Sequence, residues 1–399
     1  MSPPRTLPLD PVDLLGGMLI PEAQTYLVAT PPFDLDPGRV RARLAPLITE
    51  SFGRLGYRFR RRLGTFAGLS LADDPTAPVH VPDVAPADPL AALAPTRPLD
   101  DRHWDLTVVG HEGLALVALR FDHLVGHGDL GRRFLVACSD RLRGGDPTTP
   151  PRLDPSQSAA FGRLQAALTA RAQAAAAWAE YRRLDLGADR VRRLVRAMGL
   201  SFSDGLTLWL AYHIQATNRA TGHARPLDAL GFRMDPATSL EPPLDPALGN
   251  AGLLVERWQV DPDGSFERLD RGPADARRGL ERFAAFHRAF PVKPLLDAAL
   301  RQALAAARRR RHAGSDKLVV NNLGPTAYPF FRPIFFDPQN DGDQLGLVYV
   351  DGHTIDGHSD QVQLQLTPPR RYLEHFPWDD FERRLHASLA DPEGWVAGR

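Results

Sequence analysis

The chain has 399 residues, more than one ordinary core holds, and predicts two domains of about 150–200 residues. Its 48 Lys and Arg balance its 48 Asp and Glu, so the basic surplus of a nucleic-acid binder is missing. A composition of 43% apolar and 24% charged residues is that of a soluble globular protein, and the one cysteine, Cys138, leaves no internal disulfide framework and fits a reducing, cytoplasmic setting.

No apolar run reaches the roughly 18 residues of a membrane span, and the opening Met1-Ser-Pro-Pro-Arg5 lacks the form of a signal peptide, so no transmembrane segment is expected. Asp36-Pro37 is a cap followed by proline at the first helical position. Val40, Leu44, Leu47 and Ile48 then repeat at helical spacing and predict a helix over 37–52. Asp73–Pro98 is a proline-rich crossing. Trp104–Gly110 and Leu114–Phe121 are apolar strand-like runs joined by Gly110-His-Glu-Gly113, a hairpin signal. Asp129 is placed to cap a helix over 130–142, whose apolar stripe takes in Cys138 as a core residue. Ser158–Leu184 is alanine-rich and reads as helical.

The same kinds of element then start over. Helices are expected over 189–198 and 203–217, a strand over 251–260, and a helical stretch over 279–307 with a break near Pro291. The dense basic run Arg308–His312 reads as the solvated end of that stretch. Strands are expected over 317–321, 345–350 and 361–366, the last alternating polar and apolar residues. The segment Asp351–Asp360 reads as a polar hairpin more readily than as a metal loop. A capping box of Asp379 and Glu382 opens the final helix. The organisation expected is an N-terminal lobe over 1–155, a helical linker over 156–188 and a C-terminal lobe over 189–399. Each lobe carries a mixed sheet with flanking helices.

The chemistry-bearing stretch is Leu114–Gly128. An apolar strand runs to its end and delivers His123, and a glycine-containing loop with His127 follows. A histidine held there is well placed as a general base. On these residues alone, a core or surface histidine pair remains an open alternative. A zinc site of His123, His127 and Asp129 would need a helix that Gly126 and Gly128 disfavour, and no His-Glu-x-x-His frame is present, so no metal is expected. No Gly-x-Ser-x-Gly elbow and no glycine-rich phosphate loop occurs.

Six motifs in order carry a resemblance. They are Pro8-Leu9-Asp10, Arg97-Pro98-Leu99, Asp122-His123-Leu-Val-Gly-His127-Gly128, Leu200-Ser-Phe-Ser-Asp204, Leu248-Gly249-Asn250 and Val319-Val-Asn-Asn-Leu-Gly-Pro325. Together they resemble the CoA-dependent acyltransferase superfamily. Its members share the two-lobed fold of chloramphenicol acetyltransferase and include condensation domains of nonribosomal peptide synthetases and bacterial wax ester synthase/diacylglycerol acyltransferases. The third motif resembles His-His-x-x-x-Asp-Gly. His123 takes the place of the family's base, Asp122 stands for the first histidine, and His127 stands for the aspartate.

The resemblance implies two α/β lobes around a central tunnel, with direct transfer of an acyl group from a thioester to a hydroxyl or amine and His123 as base. Asp122, His127 and Gly128 would support the loop, with His127 packed beneath it against a carboxylate or carbonyl. Asn321, Asn322 and Gly324 would either face the tunnel from the other lobe or form an ordinary turn. No permanently bound cofactor is implied. The partners are an acyl-CoA or a phosphopantetheine thioester on an acyl or peptidyl carrier protein, with a small alcohol or amine as acceptor. The alternative is a degenerate member that binds an acyl chain or carrier protein without turnover.

Overall fold

A computed structural model of the chain describes residues 5–7, 24–62, 65–82, 93, 99–126, 128–144, 153–175, 182–223, 225–234, 253–269, 273–290, 292, 295–300, 302–303, 306, 315–326, 330–331, 347–353, 361–366 and 376–398. His127, Pro8–Asp10, Arg97-Pro98, Leu248–Asn250 and Arg308–His312 lie outside the described residues, as does 354–360 of the segment from Asp351.

The first half is built on a hairpin. Strand β6 (Trp104–His111) turns directly into β7 (Leu114–Phe121), in register from His111↔Leu114 to Trp104↔Phe121. The two turn residues, Glu112 and Gly113, have φ of 46° and 76°, the left-handed pair that a tight two-residue turn requires. Every residue of β7 is buried, which its unbroken apolar run foretells for a strand covered on both faces. Beside it lies β2 (Gln24–Thr30), antiparallel, and β5 (Val79–His80) runs parallel to β6. The outer edge is closed by β13 (Phe330–Phe331), a strand from the second half that pairs with Val28 and Leu27. A separate small sheet holds β1 (Thr6–Leu7), β3 (Tyr57–Arg62) and β4 (Thr65–Leu71).

The two-residue period of the strands sorts the core. Tyr26, Val28, Val117, Leu119 and Phe121 pack with Val40 and Leu44 of helix α1 (Pro37–Pro46) and with Leu130, Phe134 and Cys138 of α2 (Gly128–Arg143). Leu27, Ala29, Leu114, Leu116 and Ala118 face the other way, onto Phe161, Leu164 and Leu168 of α3 (Pro155–Ala175).

The second half is a seven-stranded mixed sheet. Its strands are β8 (Arg182–Gly187), β9 (Leu227–Met234), β10 (Leu253–Val260), β11 (Phe266–Arg268), β12 (Asp316–Thr326), β14 (Leu347–His353) and β15 (Gln361–Leu366), in the order β11-β10-β9-β12-β14-β15-β8. β12 runs parallel to both neighbours, and the other pairings are antiparallel. Helices α4 (Ala188–Ala197), α5 (Phe202–Ala220), α7 (Trp378–Ala390) and α8 (Pro392–Ala397) pack on it, burying Val191, Leu194, Leu206, Trp209, Leu210, Phe381 and Leu385. A further helix, α6 (Pro273–Ala289), precedes β12 in the chain, and residues 295–300 are also helical.

Several expected boundaries move, each for a local reason. The first helix ends at Pro46 and continues as a wider turn over Leu47–Ser51, since Pro46 has no N–H to give the regular ladder. α2 starts at Gly128, so Asp129 is in its first turn and not at its cap. α3 stops at Ala175, and residues 182–187, expected to prolong the helix, form an edge strand paired to β15. α7 starts after Pro377 with no side-chain cap, so Asp379 and Glu382 form no capping box. Asp379 and Asp380 sit in the first turn, where the helix dipole favours anions.

Candidate active site

At its C-terminal end β7 delivers Asp122 and His123 into a tight loop. Asp122 sets that loop's shape. Its Oδ1 accepts from the backbone N–H of Leu124 at 2.8 Å, and its carbonyl accepts from Val125 N–H at 3.1 Å. On the other side of the loop, a guanidinium nitrogen of Arg54 donates to the Leu124 carbonyl at 3.0 Å.

The far end of Asp122 is held by His103, one step beyond the Trp104↔Phe121 pair of the hairpin. Asp122 N–H donates to the His103 carbonyl at 3.0 Å, and Asp122 Oδ2 pairs with His103 Nδ1. His103 has a φ of 60°, unusual for a residue with a side chain, and its ring meets Phe59 edge-on at 4.9 Å. His123, 4% exposed, is buried, with its ring 6.4 Å from that of Phe121.

The loop is short because α2 begins immediately after it and rides close on β7. A Cβ on Gly131 would stand 2.4 Å from Phe121 Cε1, so only glycine allows this approach. α2 also touches β12, the strand that carries Asn321, Asn322 and Gly324. These three, expected at a strand-turn, lie within β12, and the register slips between Asn322 and Gly324, a bulge where a turn was expected. The two motifs, one on each half, are thus borne by elements in contact.

Other candidates take structural places. Ser201 caps α5, its Oγ 3.2 Å from Asp204 N, and buried Asp204 accepts from Trp258 Nε1 at 3.2 Å and from Arg268 at 3.4 Å. That motif therefore ties α5 to β10 and β11. Cys138 is fully buried, and burial pushes its thiol well above the ordinary value, the state of an inert core cysteine. An open groove of about 800 Å³ between α1 and α2 is lined by Arg39, Arg43, Leu47, Asp140 and Arg141, and by none of the motif residues. Among the described residues no helix is long and apolar enough to cross a membrane.

Reading the sequence did not find His103 or Arg54. Neither lies in a motif. His103 becomes visible only when the hairpin register is extended one step past Trp104, which sets it opposite Asp122.

No family model matches the sequence, and no curated protein does. Solved structures do. The chain is similar to the first condensation domain of the CDA synthetase, at 14% identity over 98% of each chain with a TM-score of 0.52. It is similar to vinorine synthase, at 12% identity over 96% of this chain and 94% of that one, with a TM-score of 0.54. Similarity to F. graminearum TRI101 complexed with ethyl coenzyme A is at 12% identity over 96% and 97%, with a TM-score of 0.55. These likenesses cover almost the whole of each chain, and they give this protein the two-lobed α/β fold of condensation domains that its ordered motifs imply.

Proposed function

We propose that the protein is an acyltransferase that moves an acyl group from a thioester, on CoA or on a carrier protein's phosphopantetheine, to a small alcohol or amine. The observation that carries this reading is the placement of His123 on a clamped loop at the end of β7, beside a helix in contact with the strand that bears Asn321, Asn322 and Gly324. Two structural neighbours, a condensation domain and TRI101 complexed with ethyl coenzyme A, support a donor carried on CoA or a carrier protein.

The neutral imidazole of His123 takes the proton of the acceptor's O–H or N–H as that atom attacks the thioester carbonyl. The tetrahedral intermediate then expels the thiolate, which recovers the proton from the imidazolium. A new C–O or C–N bond replaces the C–S bond, a free thiol leaves, and no acyl-enzyme forms. Both substrates converge on one base from opposite mouths of the passage between the lobes. Asp122 shapes the loop, and the resemblance gives Gly128 and His127 the part of supporting it. Asn321 and Asn322 border the passage from the second lobe. The single buried cysteine suits a cytoplasmic setting.

The test is incubation with a panel of acyl-CoAs and acyl-carrier thioesters plus candidate alcohols and amines, read by mass spectrometry. Ester or amide with equimolar free thiol is expected, and His123→Ala should lose turnover with the fold intact. Activity with free acid and ATP, or an acyl adduct on the protein, overturns the direct mechanism. The second reading is a non-catalytic acyl or carrier-protein binder. It is favoured by Asp122 and His127 standing where the family motif has His and Asp. A binder keeps its affinity in His123→Ala and has no turnover to lose.

A further inference from the structure

We infer that His103 is a positioning residue for His123, acting through Asp122; this rests on the reading of His123 as the base. The chain of contact is continuous. The His103 ring and carbonyl both engage Asp122, through Oδ2 and the backbone N–H, and Asp122 Oδ1 in turn holds Leu124 N–H at 2.8 Å. His123 lies between Asp122 and Leu124, the two residues that the Oδ1 bond closes into the loop. Moving the Asp122 carboxylate therefore moves the backbone on both sides of His123.

Two features show a site built for this purpose. The pair sits at the open end of the hairpin, where the ladder of β6 and β7 has stopped. Without it, the residue after Phe121 would be held only by its backbone bond to His103 and by the bond of its Oδ1 to Leu124 N–H. Moreover His103 keeps a left-handed backbone, φ 60°, that residues with a side chain adopt only where their surroundings hold them there. That conformation places the ring toward Asp122 while Phe59 supports it edge-on at 4.9 Å. Both partners are mostly shielded, with side-chain exposures of 12% and 14%, so water competes weakly with the contact.

The chemistry needs such a device. A base displaced by about 1 Å from its near-attack position loses on the order of a hundredfold in rate. Asp122 stands where the resembled motif has a histidine, and its carboxylate needs a donor on its far side. His103 supplies that donor from the facing strand.

Two variants separate the ring from the backbone. His103→Gly accepts the left-handed φ and removes the ring. His103→Asn also tolerates that φ and offers an amide N–H at the place of Nδ1. The expected result is a fall in kcat of about a hundredfold in H103G with KM little changed, and recovery of at least tenfold in H103N. In parallel, amide exchange at Leu124 should quicken about tenfold in H103G, while β7 amides such as Val117 keep their protection. Unchanged kcat in H103G, or a loss that H103N does not repair, overturns the proposal. So does a Leu124 amide that is unprotected in the unmutated protein, whatever the variants do. His123→Ala is measured beside them. Turnover surviving in H123A overturns the base reading instead, while the Leu124 exchange still decides whether His103 holds the loop.

Discussion

Nε2 of His213 lies 3.0 Å from Ser388 Oγ, joining α5 to α7 inside the second core. The same oxygen accepts from Trp209 Nε1 at 2.9 Å and donates its only hydrogen to the Leu385 carbonyl at 2.8 Å. Nε2 must therefore carry the proton of a neutral ring, whose face stacks on Trp395 at 5.4 Å. Burial, aided by the Arg384 cation, pushes this histidine down to about 3 from 6.5. In acid the unfolded chain takes up a proton that the folded one refuses. Stability is thus complete above about pH 6.5 and falls as pH drops toward 3, by up to about 1.4 kcal/mol per unit. Denaturant midpoints at pH 7 and pH 4.5 should differ accordingly, and His213→Phe should narrow the gap. An equal gap in that variant rules the histidine out as the source.

Gly131→Ala should destabilise the first lobe by about 1–3 kcal/mol, the usual scale of overpacking. The ring it meets cannot retreat, because Phe121 stacks on Tyr26 at 5.5 Å. Turnover should fall more than stability alone explains, since Phe121 directly precedes Asp122. Pairing the change with Phe121→Leu should return part of the stability. A fully stable single variant contradicts the close approach.

Asp204→Ala should cost about 2–3 kcal/mol. It removes the acceptor of the buried Trp258 indole N–H, the Asp204 contact of the half-exposed Arg268, and a partner of the α5 cap. Activity per folded molecule should not change. A specific loss of kcat at full stability would move Asp204 from scaffold to chemistry.

Cys138 should resist thiol-reactive probes in the native protein. Its burial both hides the sulfur and suppresses the thiolate. Labelling should follow the unfolding curve in denaturant, and Cys138→Ala should keep turnover. Rapid labelling under native conditions would disprove the burial.

Local signals in the sequence located what local physics builds. Asp36 caps α1 as its pairing with Pro37 indicates, accepting from Arg39 N–H at 2.8 Å. The β6–β7 hairpin and the alternating burial of Val362, Leu364 and Leu366 were equally legible. What escaped depends on distant partners. Arg182–Gly187 follows an alanine-rich helix and becomes a strand only because β15, nearly 180 residues later, offers an edge. The strands β2 and β9 were overlooked for a related reason, since their pairing partners fix them more than their own patterns do. At the site, His123 announced itself by its strand-end position, whereas His103 has meaning only through the register of two strands.

The pairing of Phe330–Phe331 with Val28 and Leu27 joins positions about 300 residues apart. During synthesis at about 5–20 residues per second, β2 emerges roughly 15–60 s before its outer neighbour exists. Through that interval a fully apolar edge, Tyr26-Leu-Val-Ala29, has open backbone donors and acceptors on one side. The nascent first lobe thus waits with an open edge that invites edge-to-edge association, and expressing residues 1–155 alone should yield aggregates, with the missing strand supplied in trans as a peptide restoring part of the yield.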